Sequence, residues 1–114
     1  MQATTVTAAD GVNLAVQEWG NPHGPEILFI HGFNQAHLSW LRQVKDPQLA
    51  AEFRMITFDL RGHGSSDKPL ENERYAHQNW GDDIAAIMRA TSESGESSPA
   101  GAIAKVDTLP TRIV

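Results

Sequence analysis

Two short stretches hold the residue types from which a reactive site could be assembled: His31-Gly32-Phe33, and Asp59-Leu60-Arg61-Gly62-His63-Gly64-Ser65-Ser66-Asp67. Glycine has no Cβ, so the backbone can come close to a bound molecule. A turn of this kind can present N–H donors to an oxygen that gains negative charge during a reaction, an effect worth roughly 2.7–4 kcal/mol per donor by mutational precedent. Other chemistries fit less well. Gly62-His-Gly-Ser-Ser-Asp67 approaches the Gly-x-Gly-x-x-Gly dinucleotide fingerprint, but its last position is Asp, and Lys68-Pro69 follows where a helix should start. Nicotinamide binding is not expected. His23, His31, His37, His63 and His77 contain no i, i+4 pair on one helix and no carboxylate in a ligand pattern, so neither a metal nor a cofactor is predicted. With no cysteine, thiol chemistry, disulfides and Cys-based metal sites are excluded.

Both stretches follow an apolar run that must place them. Ile27-Leu28-Phe29-Ile30 has no polar face, which suits a strand covered on both sides, and Met55-Ile56-Thr57-Phe58 precedes the second stretch. Between them Trp40, Leu41, Val44, Leu49 and Phe53 imply one or two short helices broken at Asp46-Pro47. Strand, helix, strand argues for a parallel crossover unit of an α/β fold. Upstream, Asp10-Gly11 separates a β-prone run, Thr4 to Thr7, from the alternating Val12, Leu14 and Val16, a β-hairpin pattern. Downstream, Trp80, Ile84, Ile87 and Met88 recur at helical spacing with Asp82 and Asp83 near the start, predicting a helix from about His77 to Thr91. Trp40 with Val44, and Trp80 with Ile84, read as core pairs.

The ordered pair of motifs resembles the α/β-hydrolase family: a His-Gly at the end of the third strand, then an Asp-x-Arg-Gly-x-Gly-x-Ser loop after the fourth, continued here by Ser66-Asp67-Lys68-Pro69. Trp80-Gly-Asp-Asp-Ile-Ala-Ala86 looks like the family's next helix, and the resemblance covers about residues 8–91. It implies an oxyanion-hole turn at Gly32 and Phe33, with the Phe33 N–H as donor and its ring lining the pocket. His31 then has the structural role of a buried hydrogen-bonding side chain. Asp59, Arg61, Gly62, Gly64 and Ser66 form the family's structural loop, in which Gly62 and Gly64 meet backbone demands and Arg61 ties the loop down through Asp59 or Asp67. The family's substrates are small molecules and include esters, epoxides and haloalkanes, some members being cofactor-free haloperoxidases. The nucleophile is Ser or, less often, Asp.

The nucleophile elbow, usually Gly-x-Ser-x-Gly, and the acid and general-base His that follow it are missing. Gly95-Glu-Ser97 is followed by Pro99 and has neither a strand before it nor a helix pattern after it. The expected architecture is thus a truncated α/β-hydrolase-like sheet, a partial domain over residues 1–91 with an irregular or disordered tail over 92–114, inactive by itself. The alternative is a non-catalytic fragment that self-associates through an exposed sheet edge. The chain of 114 residues has a net charge of −5 and no Lys/Arg cluster, so neither nucleic acid nor an anionic membrane is an expected partner. Its start lacks a signal-peptide pattern and no apolar run reaches the length of a membrane span, so a cytoplasmic location is expected.

A one-base slip soon after Thr91 would account for the missing elbow. Codon degeneracy allows residues 97–103 to read Val-Leu-Ala-Gly-Trp-Ser-Tyr in the neighbouring frame, an apolar strand running into a nucleophile-like Gly-Trp-Ser. Sequencing the gene downstream of codon 91 should find codons that spell this segment; any other reading removes the frameshift expectation.

Overall fold

A computed structural model describes residues 1–91 and the backbone of 102–105. The strands are β1 (Gln2–Thr7), β2 (Asn13–Gly20), β3 (Glu26–Ile30), β4 (Arg54–Phe58) and β5 (Ala102–Lys105), with α1 (Leu41–Val44), α2 (Pro47–Glu52) and α3 (His77–Thr91) between them. Single 3-10 turns cover His37–Trp40 and Asn72–Tyr75. The five strands form one mixed sheet in the order β1-β2-β4-β3-β5. β1 and β2 pair antiparallel, as do β2 and β4, whereas β3 runs parallel to β4 on one side and to β5 on the other.

The continuous apolar character of β3 and β4 has a direct cause: helices or turns cover both faces of the sheet. Leu14, Val16, Leu28, Ile56 and Phe58 join Ile87 in one core cluster, with Trp80, Ile84 and Met88 packed against it. Ile27, Phe29, Met55, Trp40 and Val44 form a second cluster on the opposite face, with Leu49 and Phe53 at its margin. Neighbouring residues of one strand serve opposite clusters because side chains alternate across a strand. The Trp40 ring lies 4.7 Å from that of Phe29, so the 3-10 turn and α1 anchor the second cluster.

The break at Asp46-Pro47 is an N-cap. The Asp46 carboxylate accepts from the Gln48 and Leu49 N–H groups, at 2.9 and 3.0 Å, and Pro47 opens α2 where no N–H is required. In α3, Asp83, Ile87 and Thr91 recur every four residues and form its buried stripe.

The tail departs from the irregular reading at residues 102–105, where Ile27 pairs with Ala102 and Phe29 with Ala104. Ala-Ile-Ala-Lys is too short and too weakly β-prone to be recognised in isolation; its partner is the otherwise open edge of β3, and pairing supplies what propensity does not. Gly95-Glu-Ser97, and all of the proposed reading-frame segment except 102–103, lie outside the described residues. None of the helices among the described residues is long and apolar enough to cross a membrane.

Candidate functional site

The two motif stretches leave the sheet at the ends of adjacent parallel strands, β3 and β4, and so lie side by side. That placement suits a site, because loops at the carboxyl ends of parallel strands converge outside the sheet.

His31 is buried, and both of its ring nitrogens are engaged. Nδ1 lies 2.7 Å from the Gly32 carbonyl and Nε2 accepts from the Leu60 N–H at 3.0 Å, which assigns the proton to Nδ1. Burial pushes its pKa below the usual histidine value, with the Gly32 hydrogen bond opposing that shift. The peptide joining Gly32 to Phe33 is trans, so its C=O and N–H point in opposite directions. Fixing the Gly32 carbonyl on buried His31 therefore turns the Phe33 N–H away from the interior. That N–H makes no hydrogen bond to the described residues, while the neighbouring Gly32 N–H donates to Gln35 Oε1 at 3.0 Å. The Phe33 side chain is 70% exposed.

Asp59 is fully buried at the start of the second stretch. One carboxylate oxygen accepts from the His37 backbone N–H at 2.7 Å and from His37 Nδ1 at 2.9 Å, and the other accepts from the Ser65 N–H at 3.0 Å. Burial alone would raise its pKa, but the Ser65 and His37 backbone donors and the His37 ring together hold it below the ordinary carboxylate range. Gly64 has φ +50°, and a Cβ there would run into the Asp59 carboxylate. Gly62 has φ +81° and lies against the Tyr75 ring. The Ser66 hydroxyl donates to the Asp59 carbonyl and accepts from the Ala15 N–H, and the Asp67 carboxylate accepts from the Asn13 N–H, so the stretch is laced to β2.

The structure corrects the expected partners of Arg61. Its guanidinium reaches neither Asp59 nor Asp67, whose carboxylates are taken by backbone donors and His37. It enters a buried slot instead. Nε and Nη2 bind the two oxygens of Asp83 at 2.7 Å each, Nη1 and Nη2 bind Asp10 at 2.9 and 3.1 Å, and Nη1 also donates to the Arg74 carbonyl at 2.7 Å. These bonds match the five donors of the guanidinium. The Asp83 hydrogen bond is the main cause holding Arg61 firmly protonated, against the opposing effect of burial, and the Arg61 hydrogen bond lowers the pKa of Asp10.

Sequence reasoning missed Gln35 and the Asp59 partner His37, because nothing in the spacing separated this histidine from the other four. It also missed Asn34, a non-glycine residue at φ +63°. Asn tolerates this region better than most residues, a weak signal that stood next to the motif. Among the described residues no group of three His, Cys, Asp or Glu side chains could hold a metal.

The family described as alpha/beta hydrolase fold matches residues 25–94. The "Probable oxidoreductase EphD" of Mycobacterium tuberculosis is 38% identical over 94 residues, covering 82% of this chain and 14% of that protein. A non-heme chloroperoxidase of Streptomyces lividans is 31% identical over 106 residues, covering 89% of the chain and 37% of that protein. Among solved structures, a "putative aryl esterase" from Burkholderia cenocepacia superimposes with a TM-score of 0.79 at 46% identity, covering 93% of this chain and 36% of the other. A Vigna radiata epoxide hydrolase gives 0.78 at 28% identity, covering 93% and 32%. The chain thus spans between about a seventh and a little over a third of these proteins.

Two predictions follow from the buried charges. Replacing Arg61 with Met leaves Asp83 charged and unpaired and should cost about 3–5 kcal/mol in urea unfolding, whereas R61M combined with D83L should recover most of that loss. The second concerns acid. His31 has a lowered pKa when folded, so below its ordinary value of 6.5 the unfolded chain takes up a proton that the folded chain resists. Its stabilisation is complete above that pH and is lost as acid is added. Asp59 and Asp10, also lowered, stabilise the fold above 3.8 and lose this as the pH falls through their folded values. The urea midpoint should therefore fall first as the pH drops below 6.5, from His31, and again as it drops below 3.8, from Asp59 and Asp10. H31Q should flatten only the first step.

Proposed function

Because this chain belongs to the alpha/beta hydrolase fold family, we propose that it forms the front of a hydrolase acting on an ester or related bond of a small molecule, and supplies half of the oxyanion hole. The observation that carries this reading is the Phe33 N–H, without a partner among the described residues and aimed outward by a buried histidine. Gly32 permits close approach, and in this reading the Phe33 ring, exposed in the structure, lines the substrate pocket. Asp59, Gly62, Gly64 and Ser66 then shape the neighbouring wall without taking part in the chemistry.

The matched relatives include proteins named as esterase, epoxide hydrolase, chloroperoxidase and oxidoreductase, so the bond broken is open at this level. The dinucleotide reading is disfavoured by local geometry: among the described residues the glycine loop over 62–67 leads into irregular chain and a 3-10 turn, and the next α-helix, α3, begins only at His77. The nucleophile, acid and general base belong in this reading to sequence that the described residues do not contain, and the chain alone is inactive.

A second reading rests on β1. Its segment Gln-Ala-Thr-Thr-Val-Thr carries no charge and no proline, and it borders the sheet with one side unpaired among the described residues. Such an edge invites pairing with a second copy. Purified chain tested with a p-nitrophenyl ester should show no turnover above a heat-killed control, and turnover would overturn the assignment of inactivity. In gel filtration of the same sample, elution as a monomer would remove the self-association reading.

A further inference from the structure

The His31 contacts have a mirror image that the family resemblance does not assign. His63, in the second stretch, lies half-buried with its ring centroid 5.1 Å from that of His31 and 5.6 Å from that of Phe33. Its Nε2 accepts from the Asn34 N–H at 3.1 Å, and its Nδ1 lies 3.0 Å from the Arg61 carbonyl. A carbonyl can only accept and an N–H can only donate, so His63, like His31, is neutral with its proton on Nδ1. Each histidine thus donates to a carbonyl of its own stretch; His31 accepts an N–H from the second stretch, and His63 accepts the N–H of Asn34, the residue that follows the first.

The consequence falls on Phe33. The peptide before it is held at the Gly32 carbonyl by His31, and the peptide after it at the Asn34 N–H by His63. With both flanking peptides held, Asn34 stays at φ +63°, a conformation that costs energy for a residue with a side chain and needs external support. A preorganised donor needs little reorganisation when charge develops opposite it.

We propose that His63 is a positioning residue for the Phe33 N–H, holding the turn from its C-terminal side through the Asn34 N–H while His31 holds it from the N-terminal side. The proposal rests on the reading of Phe33 as an oxyanion donor. Trp80 at 6.1 Å supports the far edge of the His63 ring, and the Trp80 Nε1–H donates to the Tyr75 carbonyl at 2.7 Å, so the clasp is backed by the start of α3.

The test uses the 114-residue chain, labelled with 15N, in NMR. In the wild type, His63 should show the Nδ1–H tautomer; the Nε2–H tautomer would overturn the proposal without any variant being made. In H63F, which keeps a ring but offers no acceptor, exchange of the Asn34 amide proton should quicken by about tenfold, the scale of one lost hydrogen bond. H63Q, whose side-chain oxygen can accept, should recover much of the protection. Unchanged Asn34 exchange in H63F would also overturn the clasp. Benzoate, a carboxylate standing in for the oxyanion, separates the clasp from the reading beneath it. The Phe33 amide should shift on titration in the wild type and respond several-fold less in H63F. A shift of equal size in both proteins retains the donor and rejects the role of His63. No shift in the wild type, with Asn34 still protected by His63, rejects the donor and with it the positioning role.

Discussion

The guanidinium of Arg61 joins three parts of the chain that share no strand pairing. Asp10 stands in the turn between β1 and β2, Asp83 lies in the buried stripe of α3, and the Arg74 carbonyl belongs to the segment leading into that helix. Removing such a cation from water is costly unless all its donors are met, and here each of the five has an acceptor. The arrangement tolerates little variation. If α3 rotated or slid along the sheet, Asp83 would leave the fork of the guanidinium and a charge would remain buried without a partner. The same residue fixes the start of the second motif stretch, so the seating of the helix and the shape of the loop are decided together.

From that anchor the constraint passes along the loop to the turn after β3. Asp59 receives His37 and Ser65, Ser66 and Asp67 lace the loop to the first residues of β2, and His63 and His31 cross between the two stretches. Most of these bonds join a side chain to a backbone group. Such bonds fix the path of the main chain itself, which matters where a main-chain N–H is the functional group. The exposed Phe33 ring takes no part in these hydrogen bonds and meets the network only through the edge of the His63 ring.

Much of this fold was legible in the sequence because its signals are local. The alternation after Asp10-Gly11, the unbroken apolar runs at Ile27 and Met55, the Asp46-Pro47 break and the spacing of Trp80, Ile84 and Ile87 each report a period or a stop within a few residues. The unread parts depend on distant chain segments. Arg61 has nearby carboxylates in Asp59 and Asp67, and sequence proximity favoured them. Its real partners come from Asp10 and Asp83, which only the folded sheet and helix bring together. Asp83 looked like a residue placed for the helix dipole and is instead buried at the ion pair. The strand at 102–105 carries too little apolar pattern to announce itself and is specified by the edge it joins. The positive φ of Asn34 left no periodic trace.

The strand order also governs when the pieces can assemble. β2 has only β1 and β4 as neighbours, and Val16 must wait for Phe58 before it gains its second pairing partner. As the chain is synthesised, the β1–β2 hairpin is made before β3, α1, α2 and β4, and without them it is a two-stranded ribbon of the kind that is marginal in water. Leu14 and Val16, fully buried at the end, have no cover from Ile87 until α3 has been made. The sheet therefore cannot grow in the order of its sequence. Its first strands depend on later ones for their second neighbour, and this long-range closure is the step that topology makes slow.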